Sequence, residues 1–462
     1  MNKEFQVTLS AVRCEKTYDV AVVGGGTAGV MAAIAAAESG KDVLIVEKSY
    51  TLGGSSTLGQ VTPLMGTRIK DGLCNSYIGV RLQRRLEERG FTDGPWPSAP
   101  KTIFSPVTLS VVLEEMCAEA GVDILYGAAF VDVMKEGNRV TALLAQTLEG
   151  LMAIEAAFVI DATGDAQVAY AAGCPFEVGD PENDGHNQNM SLRFCIGGID
   201  YDRVNQSLEA IGGDPYVEGA GVYMGTTWAH QDHYLTKLFK KAVEAGDLIQ
   251  TDATYFQAFS SKAFGDGVMY FNCPEAPHCR HTTDSFEVSD GVRDCRAATM
   301  RLHKFLQKYI RGFENSTVIS FAQMPGVRES RRIKGEYWLT IDDYNARAKF
   351  ADGVAQSAYP VDVHGRSETV HPASFARGEY FEVPYRSLIP KGIDNMLVAG
   401  RCISASFWAQ SATRIQLVCH ALGEAAGLAA SMALDLSCAA KQVDGAAVRA
   451  EMRARGGTFA AG

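Results

Sequence analysis

The chain has no long apolar run, no basic tract and no secretory leader pattern, and each absence excludes a class of protein. No apolar stretch continues for the about 18 residues that a membrane span needs. No Lys/Arg-rich tract occurs and the net charge is −11, which argues against nucleic acid as a partner. Residues 1–17 lack a basic start followed by an apolar core, so we expect no secretory signal.

Paired-cysteine patterns are also missing. The 11 cysteines are scattered and odd in number, which predicts free thiols in a reducing, cytoplasmic environment. The sequence contains no Cys-x2-Cys run of the kind that binds an iron–sulfur cluster. The tightest Cys/His group is Cys273, His278, Cys279 and His281, which lacks the paired spacing of a zinc site and contains two prolines. We expect a plain loop there and no metal.

A glycine-rich turn near the N-terminus is the strongest positive signal. An apolar segment at residues 18–23 leads into GGGTAG, and a small-residue helix and a second apolar segment follow. This is the pattern of a dinucleotide-binding strand–helix–strand unit. Gly24 allows the tight turn, Gly26 lets the backbone approach a pyrophosphate, and Gly29 lets the helix pack closely on the strand. The alternative is a glycine-rich turn in an ordinary α/β domain.

The second apolar segment ends in an acid, Glu47. A carboxylate there can accept a hydrogen bond from a ribose hydroxyl and would repel a 2′-phosphate. The unit therefore favours FAD or NAD over NADP.

The rest of the chain divides into three parts. A chain of 462 residues is too long to fold around one ordinary hydrophobic core. Residues 18–47 and 108–163 predict alternating helices and strands, whereas residues 176–380 are richer in aromatic and polar residues with mixed periodicity. The nucleotide-domain pattern returns in a strand at 395–399 and a small-residue helix at 421–430.

Several motifs taken together identify a family. They are GGGTAG with Glu47, ATGD at 162–165, GVRESRR at 326–332, AGR at 399–401 and LGEAAG at 422–427. With them the chain resembles the bacterial FAD-dependent oxidoreductase family allied to the fumarate reductase and succinate dehydrogenase flavoproteins. The resemblance implies an α/β fold: a glutathione-reductase-like, Rossmann-type FAD-binding domain formed by residues 1–175 and 381–462. An inserted α+β substrate domain, residues 176–380, would close over the flavin.

The resemblance also implies cofactor contacts. The pyrophosphate would be contacted by Gly24, Gly26, Thr27, Ala28, Gly29, Gly400 and Arg401, and the rest of the nucleotide by Glu47 at the ribose, Val131 at the adenine, and Ala162, Thr163, Gly164 and Asp165. The residues beside the flavin would be Lys48, Gly53, Gly54 and Ser55. Ala425 and Ala426 would lie at the start of a helix that points at flavin N1 and the C2 oxygen. No histidine follows Gly53 and Gly54, where succinate dehydrogenases attach their flavin, so we expect non-covalent FAD.

Arginines are the main candidates for substrate chemistry. Arg328, Arg331 and Arg332 lie within five residues and repel one another unless anions separate them. They either bind a substrate carboxylate or deliver a proton, or else they form an ion-pair network that braces the seam between domains or the FAD phosphates. Arg414 lies where the allied reductases place a substrate arginine, and its alternative is an ordinary salt bridge.

Two histidines that shortly precede the C-terminal part of the nucleotide-binding domain are candidates for acid–base catalysis. His364 and His371 each precede residues 381–462, and for each taken alone a structural role is favoured over acid–base catalysis. Of the two, we include His371 among the candidate catalytic residues.

The expected reaction is hydride transfer between flavin N5 and a small polar or anionic substrate. Reduction of a C=C bond, or the reverse dehydrogenation, is preferred, with hydroxyl or amine oxidation next. A subunit relaying electrons to a separate redox partner and a non-catalytic FAD-binding protein remain as alternatives. The expected partners are a small-molecule substrate and a separate electron donor or acceptor, with no nucleic acid and no membrane; oligomeric state is left open.

Overall fold

The computed structural model describes residues 10–66, 69, 73–92, 101–213, 222–365 and 375–460, so His371 lies outside the described residues. The strands are β1 Val12–Arg13, β2 Tyr18–Val23, β3 Val43–Val46, β4 Pro63–Met65, β5 Lys101–Ile103, β6 Asp123–Leu125, β7 Ala129–Glu136, β8 Arg139–Thr147, β9 Gly150–Asp161, β10 Phe176–Val178, β11 Met190–Ser191, β12 Phe194–Gly197, β13 Tyr223–Thr227, β14 Tyr255–Ser260, β15 Met269–Phe271, β16 Glu275–Ala276, β17 Thr317–Phe321, β18 Arg331–Ile333, β19 Gly353–Ser357, β20 Phe381–Pro384 and β21 Met396–Val398. The helices are α1 Thr27–Ala37, α2 Tyr77–Glu88, α3 Pro106–Ala120, α4 Gln167–Ala171, α5 Tyr201–Ala210, α6 Tyr234–Glu244, α7 Ser285–Tyr309, α8 Ile341–Ala346, α9 Phe407–Thr413, α10 Gln416–Asp435 and α11 Gly445–Ala454.

A parallel sheet organises the two ends of the chain. Strands β6, β3, β2, β9 and β21 run parallel, and β9 continues antiparallel to β8, which pairs with β7. The predicted strand–helix–strand unit is confirmed as β2, α1 and β3, and β7 and β8 pair as antiparallel neighbours. Because parallel strands end at one edge, the carboxyl ends of β2, β9 and β21 bring the glycine-rich turn beside residues 162–165 and 399–401. This α/β arrangement is of the Rossmann type.

Helix α10 packs directly on α1. A Cβ added to Gly423 would lie 2.0 Å from the Ala28 carbonyl oxygen, and one added to Gly427 would lie 2.2 Å from that of Ala32. The small residues of LGEAAG thus serve the contact between two helices. By length and composition α10 could cross a membrane, but 89% of its apolar window is buried inside the protein.

The expectation that a helix starts at Ala425 and Ala426 is wrong. Both residues lie in the middle of α10, fully buried against its neighbours, and the helix begins at Gln416. The reason is that closely spaced alanine and glycine residues mark the contact surface of this helix rather than its end.

The middle of the chain contributes to two cores. An antiparallel sheet in the order β13, β14, β15, β12 and β17 packs with α5, α6 and α7 around an aromatic core that includes Phe239, Phe256 and Phe305. Strands β19 and β20, by contrast, pack into the core of the parallel sheet. The predicted substrate domain of residues 176–380 therefore includes one sheet with its own core and one strand, β19, that packs with the nucleotide-binding core.

Candidate functional site

The N-terminus of α1 is shaped for an anion. Gly26 precedes the helix, no side chain caps its first N–H groups, and no acidic residue lies in the first turn. A Cβ at Gly29 would lie 1.9 Å from the Gly24 carbonyl oxygen, so the turn accepts only glycine there. Uncapped N–H groups at the positive end of a helix dipole bind phosphate well, and the site fits a pyrophosphate.

Glu47 closes one side of this turn. Its carboxylate is buried and accepts hydrogen bonds from the Gly25 N–H at 2.7 Å and from the Ser49 N–H and hydroxyl at 2.8 and 2.7 Å. These bonds fix the acid at the end of β3, where sequence reasoning placed it. Its ribose contact stays a prediction.

The loop after β3 lies against the start of α1. Gly53 and Gly54 both adopt positive φ, at 97° and 52°, and a Cβ at Gly54 would lie 2.9 Å from the Gly26 Cα. The hydroxyls of Thr27 and Ser55 are 3.3 Å apart. The structure thus brings these predicted cofactor residues together, whereas Lys48 is exposed beside them and Val131 is 46% exposed on β7.

The ends of β9 and β21 meet at an arginine. The Arg401 guanidinium donates to the Gly164 carbonyl at 2.7 Å and to Asp165 at 2.6 Å, and the Ser330 hydroxyl also donates to Asp165 at 2.6 Å. Burial raises the pKa of Asp165, but Arg401 and Ser330 outweigh it, and the pKa is lowered. Residues 162–165 and 400–401 therefore lie together, as the resemblance implied.

A second uncapped helix start faces the same place. Helix α10 follows Ile415 in extended backbone, with no side-chain cap and no acid in its first turn. A cavity of about 20 Å³ lies between the two helix starts and the loop, with Gly26, Gly53 and Gln416 in its wall. The start of α10, nine residues before Ala425, can therefore stabilise negative charge on a ligand held there.

Near the predicted substrate-binding arginines Arg328 and Arg414, five charged side chains form a continuous chain of ion pairs. Arg328 pairs with Glu275 at 3.1 Å, and Arg414 pairs with Asp362 at 3.0 Å. His364 joins the two pairs, with Nδ1 2.7 Å from Glu275 and Nε2 3.2 Å from Asp362. Charges of opposite sign thus alternate along the chain whenever the imidazole is protonated.

Both carboxylates of this chain are held ionised. Burial raises the pKa of Glu275, but Arg328 and His364 outweigh it and lower the pKa to about 2. The pKa of Asp362 is also lowered, because its bonds to His364 and Arg414 outweigh the effect of burial. Both groups therefore stay negative throughout the physiological range.

Arg193 is a site residue that sequence reasoning missed. It is 8% exposed, and the hydrogen bond that the structure gives its guanidinium is to the Gln60 carbonyl, at 3.2 Å. Within the described residues no carboxylate forms an ion pair with it. Its pKa is lowered to about 10, chiefly by burial and in smaller part by the charge of Arg328. Arg328 and Arg414 are each paired with a carboxylate, whereas Arg193 has no such pair in the described structure.

The three arginines of GVRESRR lie in different parts of the structure. Arg328 joins the chain described above, and Arg331 lies over the ring of Tyr170 at 4.3 Å. Arg332 is fully buried and is bonded to Glu329 at 3.0 Å and to two backbone carbonyls, of Gly179 and Ala405. The structure therefore does not bring the three together, and Arg332 matches the bracing alternative.

Glu275 and Asp362 were missed along with Arg193. Each is a lone acid in a loop or short strand, and no spacing relates either to its arginine. The one available signal was the pair Asp362 and His364, two residues apart in an extended segment, which places both side chains on one face. The Cys/His group considered for a metal does not assemble: no three His, Cys, Asp or Glu residues in the described part of the chain are placed to hold an ion.

Comparison with known proteins identifies the family. The family model "FAD dependent oxidoreductase" matches residues 19–452. The chain is 31% identical over 171 residues to a thiamine thiazole synthase of Aeropyrum pernix, which is 34% of this chain and 57% of that protein. It is 28% identical over 172 residues to digeranylgeranylglycerophospholipid reductase 2 of Methanothermobacter thermautotrophicus, 34% of this chain and 42% of that protein. The chain thus spans about half the length of these relatives.

A shorter match and solved structures add context. An NADH:fumarate oxidoreductase of Klebsiella pneumoniae is 58% identical over 41 residues, 9% of this chain and 4% of that protein. A p-nitrophenol 4-monooxygenase of Pseudomonas putida has a TM-score of 0.48 at 12% identity, covering 96% of this chain and 85% of that one. The family assignment does not depend on that likeness. From the family match, this chain is an enzyme that uses FAD and belongs to the FAD-dependent oxidoreductase family.

Proposed function

We propose that this enzyme exchanges a hydride between flavin N5 and a small organic anion that binds at Arg193. The observation that carries the proposal is a buried guanidinium without a carboxylate partner among the described residues, bonded to Gln60, five residues beyond Ser55 of the loop predicted to line the flavin. A buried unpaired charge is costly, and a bound carboxylate is the group that balances it best. We prefer reduction of a C=C bond or the reverse dehydrogenation.

The cofactor fits the two uncapped helix starts. The N–H groups at Gly26 and Thr27 would hold the pyrophosphate, and the start of α10 at Gln416 would face the pyrimidine edge of the flavin. When bound, FAD supplies the hydride acceptor or donor at N5. The double glycine at 53–54 precedes Ser55 rather than histidine, which supports non-covalent attachment. The arrangement we propose is glutathione-reductase-like.

The protein's own contribution is position and charge. Arg193 would bind the substrate carboxylate. Arg328, whose charge acts on Arg193, is held by Glu275, and Arg414 is held by Asp362. Because Arg193 is bonded to Gln60, seven residues beyond the first glycine of the flavin loop, an anion bound there lies next to the loop.

A reoxidation screen tests this function. The purified holoenzyme is photoreduced without air, and small carboxylic acids and neutral enones are added one at a time while the flavin absorbance is followed. We expect one or more unsaturated acids to restore the oxidised spectrum and matched neutral enones to fail. Recolouring only by a partner protein would favour electron relay. Folded protein that is colourless and does not bind added FAD would contradict the proposal altogether.

The cellular setting is a further part of the proposal. All eleven cysteines are free thiols. This supports work in a reducing compartment, which we propose to be the cytoplasm.

A further inference from the structure

We propose that His364 is a positioning residue that sets the affinity of the substrate pocket for anions through the two carboxylates it bridges. This inference rests on the proposed function and deepens it. It concerns how the pocket's arginines are held and charged, and it involves no step of the reaction itself.

The bridge joins segments that are distant in the chain. Glu275 lies on β16, His364 lies between β19 and β20, and Arg414 follows α9. The segment is anchored by its backbone as well: the His364 N–H donates to the Gln188 side chain at 3.4 Å, and its carbonyl accepts from the Asn189 N–H at 3.2 Å. His364 is therefore the member that ties the Arg328 pair to the Arg414 pair.

Both ring nitrogens of His364 face carboxylate oxygens. Nδ1 and Nε2 can both donate only in the imidazolium form, because a neutral imidazole carries one N–H. Each carboxylate then stands between two cations. If the proton is lost, one ring nitrogen faces a carboxylate without a hydrogen, and the pair repels.

The consequence for the pocket is electrostatic and geometric. The groups facing His364 are Glu275 from β16, Asp362 from its own segment and the ring edge of Tyr255 from β14, 5.0 Å away by centroid. Arg328 and Arg414 lie one step further, behind the carboxylates. Loss of the imidazolium charge leaves these acids to neutralise the arginines alone, which lowers the positive potential offered to a ligand at Arg193. One unit charge within several ångströms changes anion affinity by on the order of tenfold.

A pH series on the FAD-loaded enzyme tests the inference. Oxalate, whose charge is constant over the range, is titrated from about pH 5.5 to about pH 8.5, where histidine changes charge, and the flavin absorbance reports binding. The test variant is His364→Gln. The matched control is His281→Gln, which removes another histidine paired with a carboxylate, Glu287 at 2.7 Å, on the surface.

The expected results separate the inference from the proposed function. H364Q should bind oxalate on the order of tenfold more weakly than wild type and H281Q at the acid end of the series, with normal FAD content. With an unsaturated acid that the reoxidation screen identifies, H364Q should raise KM more than it lowers kcat. An oxalate affinity of H364Q equal to that of wild type and H281Q across the series overturns the inference alone. Failure of wild type to bind any carboxylate overturns the proposed function, and the inference with it.

Discussion

Two buried arginines in this protein have opposite surroundings. Arg332 donates to the Glu329 carboxylate and to two backbone carbonyls, and it lies close to a further acid, Glu177, at 3.3 Å. Arg193 is nearly as buried but has one hydrogen bond, to a backbone carbonyl. A guanidinium that makes four hydrogen bonds, two of them to acids, braces the fold, whereas one with a single hydrogen bond among the described residues is placed for a ligand. The crowded arginine motif contains the brace, Arg332, whereas the pocket arginine, Arg193, is a lone residue between β11 and β12.

Replacing Arg332, the arginine that braces the fold, should have the largest effect on the free energy of unfolding. Arg332→Met leaves the buried Glu329 carboxylate without its cation, and burial already raises the pKa of that acid. Breaking one side of a buried ion pair costs about 3–5 kcal/mol. Urea denaturation should show this loss. The control is Arg331→Met, which removes a half-buried cation–π contact with Tyr170 worth about 1 kcal/mol; equal losses in the two variants would contradict the distinction.

A buried acid offers a second comparison. Glu424 accepts from the Ser76 hydroxyl at 2.7 Å and the Ile78 N–H at 3.1 Å, and burial raises its pKa to about 8. The folded state thus holds a proton that the unfolded state releases near its ordinary pKa, so stability is lost as the pH rises toward 8. Between about pH 6 and 8 the loss is roughly 2 kcal/mol.

The variant Glu424→Gln keeps an acceptor oxygen and cannot ionise. Its free energy of unfolding should therefore fall less steeply with pH than that of wild type over the same range. Chemical denaturation at several pH values measures the difference. Parallel curves for the two proteins would mean that Glu424 is ionised in the folded state.

Replacing the pocket arginine should have the smallest effect on stability. Arg193→Gln removes a buried charge that has no partner carboxylate in the described structure, so the free energy of unfolding should change by no more than about 1 kcal/mol, or rise. FAD content should stay at the wild-type level. A loss as large as that of Arg332→Met would make Arg193 a second brace and remove the contrast between the two.

The cofactor side of the site could be predicted because its residues are local. Gly24, Gly29 and Glu47 belong to one strand–helix–strand unit, so their spacing alone places them together. The LGEAAG segment was misjudged because alanine and glycine suit both a helix start near a ligand and a tight helix contact. Only the position of Gly423 over the Ala28 carbonyl distinguishes the two.

The substrate side could not be predicted because it is assembled from distant segments. Asp362 and Arg414 are 52 residues apart, and no periodic pattern links them. Arg331 and Arg332 are adjacent on β18, where successive side chains point to opposite faces, so closeness in sequence separated them in space. Whether an arginine is fully partnered depends on tertiary contacts that composition and spacing do not contain.

Anion binding beside the flavin tests the central claim most directly. Titrating the FAD-loaded wild type with a small carboxylate should change the visible flavin spectrum and saturate. In Arg193→Gln the dissociation constant should rise by about 10-fold to 100-fold, because a charge-assisted hydrogen bond worth about 1.5–3 kcal/mol is lost. Equal dissociation constants in the two proteins, at equal FAD content, would contradict the account.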